Sequence, residues 1–282
     1  MATILDGKAL AAKVRREVAE EAEKLPRVPG LAVILVGDDP ASRIYVTGKR
    51  KDCRECGFMS REYKYDAGIS EAELLELIEK LNRDDEIDGI LVQLPLPENI
   101  CEAHVIEAIS PEKDVDAFHP VNVGHIASGE PGLLPCTPAG IMELLAAYDI
   151  SVAGKLCVIV GRSSIVGKPM CMMMLNADGT VVCCHRKTRD LAALTRQADI
   201  LVVAAGHKKL ITADMVKSGA VVIDVAMNRD KVTGKLSGDA DFENLLDKVS
   251  YISPVPGGVG PMTRAMLMKN ILTAARMHQG LK

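Results

Sequence analysis

Ser42, Tyr45 and Lys49 stand at i, i+3 and i+7, so on a helix all three project from one face. A lysine partly withdrawn from water loses some preference for its charged form, which suits proton transfer near neutral pH, and a neighbouring phenol can orient it. An ordinary amphipathic helix with a surface Lys and a half-buried Tyr explains the same spacing, and from these residues alone it is the commoner outcome. Gln93 is a polar residue inside the apolar run 90–94. At the carboxyl end of a parallel strand it would border a ligand crevice; backbone groups near the following prolines would satisfy it equally well. Asp114-Val115-Asp116 offers two carboxylates, but no His or further acid completes a cation site around them. A single Asp can instead accept two hydrogen bonds from an amino-heterocycle, and His119 reads as structural.

A second group suits a dinucleotide. Gly161-Arg162-Ser163-Ser164-Ile165-Val166-Gly167 follows an apolar run, 156–160, and precedes a helical pattern. A glycine-bearing turn there sets backbone N–H groups and a helix N-terminus against a pyrophosphate. The spacing is Gly-x-Ser-x-x-x-Gly, not the usual Gly-x-Gly-x-x-Gly, and a plain tight turn is the alternative. The next strand ends in His185-Arg186-Lys187, with no acid before Asp190. An NAD site carries an acid there for the ribose hydroxyl, whereas cations favour a 2′-phosphate, so NADP is expected ahead of NAD. Arg162 can join that cluster; a solvated surface run is the alternative. Finally, 254–261 holds three Gly and three Pro, a loop of restricted dihedrals that permits close backbone approach to a flat ligand.

The elements that must position these groups alternate strand and helix. Strands are expected at 31–37, 58–65 and 87–94, with helices from the Asp39-Pro40 start to about 56 and from the Ser70/Glu73 capping box to about 82. This is a βαβαβ unit with parallel strands. A loop-rich linker is expected over 110–137, then a helix from Thr137-Pro138 to about 148. Strands follow at 156–160, 180–184, 199–205, 220–225 and 250–253, with helices at about 168–176, 189–197, 212–218, 241–247 and 261–277, a doubly wound Rossmann-like sheet.

Length and composition fit that scheme. The 282 residues exceed one ordinary core and suit two domains. A net charge of −4, 3% aromatics and no Trp argue against a nucleic-acid surface. The longest apolar runs are strand-sized and the N-terminus lacks a signal core, so a cytoplasmic chain without a membrane span is expected. The 8 Cys read as small buried hydrophobes; Cys53-x-x-Cys56 has no second pair to complete a metal or redox site.

Taken together, these segments resemble the bifunctional methylenetetrahydrofolate dehydrogenase/methenyltetrahydrofolate cyclohydrolase family. The carrying motifs are Ser42-x-x-Tyr45-x-x-x-Lys49, the run 89–97 around Gln93, Lys113-Asp114-Val115-Asp116, Pro135-Cys136-Thr137-Pro138, Gly161-Arg162-Ser163 with 166–169, and 254–263, in the family's order across nearly the whole chain. The resemblance implies an α/β fold of two domains: an N-terminal βαβ-type catalytic domain and a doubly wound dinucleotide-binding domain. The folate-binding domain would be 1–137 plus about 262–282, its C-terminal helix returning to it, and the NAD(P)-binding domain 138–261.

The resemblance also implies site roles. Lys49 would be the acid–base residue, Tyr45 would position it, Gln93 would hydrogen-bond it and Asp116 would bind the pterin's amino edge. Ser42, Val92, Leu94 and the loop Pro256, Gly257, Gly258, Val259 and Gly260 would contact substrate. Gly161, Arg162, Ser163, Arg186 and Met227 would hold NADP, with NAD possible and no metal. The reactions would be oxidation of 5,10-methylenetetrahydrofolate and hydrolysis of the methenyl product to 10-formyltetrahydrofolate, in a homodimer. Departures from the family pattern are Ala117 and Ala226, where Gly is usual, and Arg186, where Ser is common. A monofunctional dehydrogenase, a non-catalytic nucleotide-binding module and an unrelated Rossmann dehydrogenase are the competing readings; retention of Lys49, Tyr45 and Gln93 speaks against the first two.

Overall fold

The structure, a computed structural model, describes residues 1–281 except Pro131, Lys231 and Val232; the side chains of Pro40, Ala41, Ile44 and Tyr45 also lie outside the described set. In chain order the first half contains β1 (Thr3–Ile4), α1 (Gly7–Ala22), β2 (Gly30–Val36), α2 (Pro40–Glu55), β3 (Met59–Tyr65), α3 (Glu71–Asn82), β4 (Gly89–Val92), α4 (Glu102–Ala108), α5 (Pro120–Ser128) and α6 (Cys136–Ala147). The second half contains β5 (Leu156–Val160), α7 (Gly167–Asn176), β6 (Thr180–Cys184), α8 (Leu191–Thr195), β7 (Ile200–Val203), β8 (Val221–Asp224), β9 (Asn228–Arg229), β10 (Leu236–Ser237), α9 (Phe242–Leu245), β11 (Tyr251–Ile252) and α10 (Val259–His278). Two compact units result. One, the Lys49 unit, comprises Ala12–Cys136 and the chain from Arg264 onward; the other, the Gly161 unit, comprises Met1–Ala11 and Thr137–Thr263.

In the Lys49 unit the sheet order is β3-β2-β4, all parallel. Every residue of β2 is buried, as its unbroken apolar run requires of a central parallel strand. Leu74, Ile78 and Leu81 recur at helical spacing on α3 and are buried in the same core as Ile34 and Ile90. The start of α3 is fixed by the capping box: Glu73 N–H donates to Ser70 Oγ, and Ser70 N–H donates back to Glu73 Oε2. The start of α2 is fixed by Asp39, whose Oδ2 accepts from Ser42 N–H at 2.7 Å, with Pro40 at the first helical position.

In the Gly161 unit six parallel strands run in the order β1-β11-β8-β7-β5-β6. From β5 the chain passes to β6 on one side and then to β7 on the other. That reversal makes the carboxyl ends of β5 and β7 the topological switch point, where such sheets bind ligands.

Several elements differ from expectation. Residues 1–11, placed with the folate domain by the family resemblance, belong to the Gly161 unit and supply its edge strand β1: Thr3 N–H donates to Ser250 O at 2.8 Å, Leu5 N–H to Ile252 O at 2.9 Å, and Leu5 is fully buried. The segment 110–137 is not only loop. It contains α5, opened by His119-Pro120 and closed by Gly129 at φ +80°. The helix expected at 212–218 is a single 3-10 turn, Ala213–Met215, followed by extended Val216 and then Gly219 at φ +78°. Helix α1 and the β9–β10 hairpin were not anticipated.

Candidate active site and cofactor turn

Lys49 lies on the third turn of α2, and its Nζ donates to Gln93 Oε1 at 3.2 Å. Gln93 is oriented by its neighbours. Its main-chain N–H donates to Ile34 O on β2 at 2.9 Å, and its side-chain Nε2 donates to Leu94 O at 2.7 Å, so the amide oxygen is the atom left for Lys49. Asp116 belongs to the same neighbourhood. Its Oδ1 is 4.0 Å from the buried Cys136 thiol, which burial holds well above its ordinary range; the charges of Asp116 and Lys49 both act on that thiol, in opposite senses. Val92 and Ser42 are buried and Leu94 is half-buried. The side chain of Tyr45 lies outside the described residues.

The two carboxylates of the Asp114-Val115-Asp116 segment have different surroundings. Asp114 Oδ2 accepts from His119 N–H at 2.7 Å and Asn122 Nδ2 at 3.1 Å, and burial pushes its carboxyl up to about 6. It is a structural group that shapes the turn. Asp116 is only half-buried, and the Cys136 thiol is a weak donor to it at 4.0 Å. Between them and the turn, Ala117 takes φ +56°, the conformation that explains the glycine usual in the family. Ala226 has no such φ.

Three groups escaped the sequence reading. Asp52, on α2 three residues after Lys49, is buried and accepts from Arg264 Nε and Nη2 at 2.5 and 2.6 Å. Asn270 is buried and donates to Val115 O at 2.8 Å and Leu134 O at 2.7 Å. Asn270 had one signal, an amide within the largely apolar α10, and Asp52 had none, being one of many charged residues on α2. Cys53 and Cys56 are both buried, and burial pushes each thiol up to about 12. No cluster of three His, Cys, Asp or Glu suited to a metal occurs among the described residues.

In the Gly161 unit, the turn after β5 is built on close backbone approach. A Cβ on Gly161 (φ +137°) would stand 2.3 Å from Ala204 O, and one on Gly167 would stand 2.2 Å from Gly161 O. Ser163 Oγ accepts from Val166 N–H at 3.2 Å and Gly167 N–H at 3.3 Å. Arg162 and Ser163 are exposed at the switch point, and so is Arg186 at the end of β6. Arg186 makes no ion pair among the described residues. The loop 254–261 folds back on itself: Gly258 N–H donates to Pro254 O at 2.9 Å, and Lys8 N–H donates to Gly257 O at 2.9 Å. Pro256 lies in this turn and Val259 opens α10, buried. A Cβ on Gly260 would lie 3.8 Å from Met227 Sδ, so Met227, itself 43% exposed, flanks this loop. A separate cavity of about 440 Å³, lined by Lys208, Asp224, Lys235 and Ser237 among others, includes none of the expected cofactor residues.

A doubly wound sheet with a glycine turn at its first crossover, in one chain with a βαβαβ unit that carries a Lys–Gln pair and a half-buried Asp, defines a two-domain nucleotide-dependent oxidoreductase. The comparisons sharpen the class. The catalytic domain of tetrahydrofolate dehydrogenase/cyclohydrolase matches residues 5–116, and the family's NAD(P)-binding domain matches residues 135–279. The Bifunctional protein FolD of Campylobacter hominis is 56% identical over 276 residues, 97% of each chain. The crystal structure of the bifunctional methylenetetrahydrofolate dehydrogenase/cyclohydrolase of Campylobacter jejuni superposes with a TM-score of 0.97 at 53% identity, covering 98% of this chain and 99% of that one. A Trypanosoma brucei enzyme of the same description, solved with NADP and an inhibitor, has a TM-score of 0.93 at 38% identity over 98% of each chain. The chain belongs to the tetrahydrofolate dehydrogenase/cyclohydrolase family. It is a bifunctional enzyme, and its Gly161 unit is an NAD(P)-binding domain.

Proposed function

We propose that Lys49 moves the protons of the reaction, that Gln93 sets its orientation and that Asp116 anchors the amino edge of a pterin. The observation that carries this is the Lys49 Nζ to Gln93 Oε1 hydrogen bond at 3.2 Å, with Asp116 in the same neighbourhood. The substrate is 5,10-methylenetetrahydrofolate. A nicotinamide dinucleotide held through its pyrophosphate at the Gly161 turn would supply the acceptor for the hydride that leaves the methylene carbon. The product is a methenyl cation whose charge is shared by two nitrogens, so no oxyanion hole is needed at this step.

Hydrolysis then requires proton management. Water adds to the cationic carbon, Lys49 accepts a proton from it as the C–O bond forms, and the same side chain returns the proton to the ring nitrogen as the C–N bond breaks. The product is 10-formyltetrahydrofolate, with one proton released overall. Ser42, Val92, Leu94 and the loop from Pro256 to Gly260 supply contacts to the folate.

Gly161 and Gly167 let the turn close tightly, backbone against backbone at Ala204 O and Gly161 O, and a glycine turn leading into a helix start suits a pyrophosphate. Arg162, Ser163, Arg186 and Met227 complete the cofactor site, and exposed Arg186, which makes no ion pair among the described residues, favours the 2′-phosphate of NADP over NAD. The reading extends to a homodimer in the cytoplasm. No helix among the described residues is long and apolar enough to cross a membrane.

Lys49→Gln tests the assignment. Hydrolysis of the methenyl compound should fall to background while NADPH still binds, measured by titration of its fluorescence. Hydrolysis at the unmodified rate would refute it.

A further inference from the structure

The part of α10 from Arg264 onward makes two directed attachments inside the Lys49 unit, six residues apart. The first is to α2. The Arg264 guanidinium clasps Asp52, which is 1% exposed, through Nε and Nη2 at 2.5 and 2.6 Å, and Nη2 also donates to Gly48 O at 3.1 Å. Gly48 immediately precedes Lys49. A Cβ at Gly48 would stand 3.0 Å from Arg264 Cζ and Nη1, so the guanidinium lies flat on bare α2 backbone. Asp52 and Gly48 bracket Lys49, and Asp52 at i+3 shares its side of the helix.

The second attachment is to the Asp116 loop. Buried Asn270 donates through one Nδ2 to Val115 O at 2.8 Å and Leu134 O at 2.7 Å, and it touches Cys136 Sγ at 3.6 Å. Val115 directly precedes Asp116, and Cys136 Sγ donates to the same Val115 O at 3.4 Å. Arg264 and Asn270 therefore each hold the backbone one residue before a proposed site residue. Six residues of helix separate the two grips by about 9 Å along a rigid axis.

We infer that α10 is a positioning element of the catalytic domain: Arg264, through Asp52 and Gly48, sets the place of Lys49, and Asn270, through Val115, sets the place of Asp116. The inference rests on the roles proposed above for Lys49 and Asp116. Its content is that one helix fixes the offset between the proton-transferring nitrogen and the pterin anchor. A misplacement of about 1 Å in such a pair costs rate on the order of a hundredfold even when every reacting group is present.

The two grips predict different kinetic signatures. Arg264→Gln should lower kcat for methenyl hydrolysis at least tenfold with the folate KM within twofold. Asn270→Leu should raise the folate KM about tenfold with kcat within twofold, and should erase the preference for the natural substrate over an analogue lacking the pterin 2-amino group. Rates are taken per folded site, counted by titration with a tight folate-site inhibitor. Because Arg264→Gln leaves Asp52 buried without its main partner, the double variant Arg264→Met/Asp52→Ala, which removes both charges, is measured beside it and should show the same fall in kcat. Lys49→Gln separates the two levels. If it retains hydrolysis, the proposed role of Lys49 fails. If it is inactive but the Arg264 and Asn270 variants keep wild-type kcat, KM and analogue discrimination per folded site, the positioning role of α10 is overturned.

Discussion

Replacing Gln93 by Glu puts a charge where the structure places a neutral acceptor. Lys49 Nζ meets Gln93 Oε1 at 3.2 Å, and the amide cannot turn over because Nε2 is committed to Leu94 O at 2.7 Å. A carboxylate in that place pairs opposite unit charges about 3 Å apart, roughly 5 kcal/mol at an effective dielectric constant of about 20. Both side chains are half-buried, and water and the new carboxylate–Leu94 O repulsion reduce this to about 1–3 kcal/mol. The gain goes only to the ammonium form, so the neutral amine that accepts a proton from water becomes rarer by about fivefold to 150-fold, at 1.36 kcal/mol per factor of ten. Methenyl hydrolysis should slow by that factor. Hydride transfer, which needs no proton taken from water, should slow less. The assay follows the methenyl chromophore for one activity and reduced cofactor for the other. Gln93→Met, which removes the acceptor without adding charge, should fall between wild type and Gln93→Glu. Hydrolysis by Gln93→Glu within twofold of wild type would refute the reasoning.

Arg186→Ser should weaken NADP by about tenfold while NAD changes less than twofold, since one cation–phosphate contact is at stake; equal effects in parallel cofactor titrations would remove the 2′-phosphate assignment. Asp114→Asn tests the buried acid. Burial pushes that carboxyl up to about 6, so the stability it contributes is present below about pH 4 and is lost as pH rises through about 6, amounting to about 3 kcal/mol at neutral pH. Both of its hydrogen bonds reach Oδ2, which an asparagine oxygen reproduces, so the variant's Tm should fall less than wild type's between about pH 5 and about pH 7.5. Ala117→Gly should stabilise by about 0.5–1 kcal/mol by relieving φ +56°, read as the midpoint of urea unfolding. Ser70→Ala should cost about 1 kcal/mol in the same measurement by removing half of the α3 capping box.

What the sequence disclosed depended on how local the determinant was. Asp39-Pro40 and Ser70/Glu73 act within one helical turn, and the helices they start were read correctly from letters alone. The placement of β1 was not local: its partner, β11, lies about 250 residues away, and a two-residue strand has too little pattern to advertise it. Helix α5 did carry signals, Pro120 at its start and Gly129 at its end, but both letters also enriched the segment in loop formers and hid it. In the site, Gln93 stood out as a polar letter in an apolar run, whereas Lys49 by itself read as the surface lysine of an amphipathic helix and was singled out only by the family resemblance. The tethering roles of Asp52, Arg264 and Asn270 were not legible, because each is an ordinary polar letter until its partner is known. Asp114 and Asp116 show the limit most plainly. They are the same residue two positions apart, and only burial and two donors on Asp114 separate the structural acid from the one left available to a ligand.

The cofactor turn shows why a motif is better read as a set of distances than as a string. Its departure from Gly-x-Gly-x-x-Gly made the pattern weak as text. The structure demands glycine at two places only: Gly161, where a Cβ would strike Ala204 O at 2.3 Å, and Gly167, where one would strike Gly161 O at 2.2 Å. The middle position has no such constraint. There Ser163 turns its hydroxyl onto the N–H groups of Val166 and Gly167, two of the donors that a helix start leaves unpaired. A glycine at 163 would leave those donors without this acceptor. The serine therefore fits the longer turn better than the fingerprint glycine would. An anion arriving at this helix start must either use the remaining donors or displace the Ser163 hydroxyl, so that side chain decides which donors the anion meets.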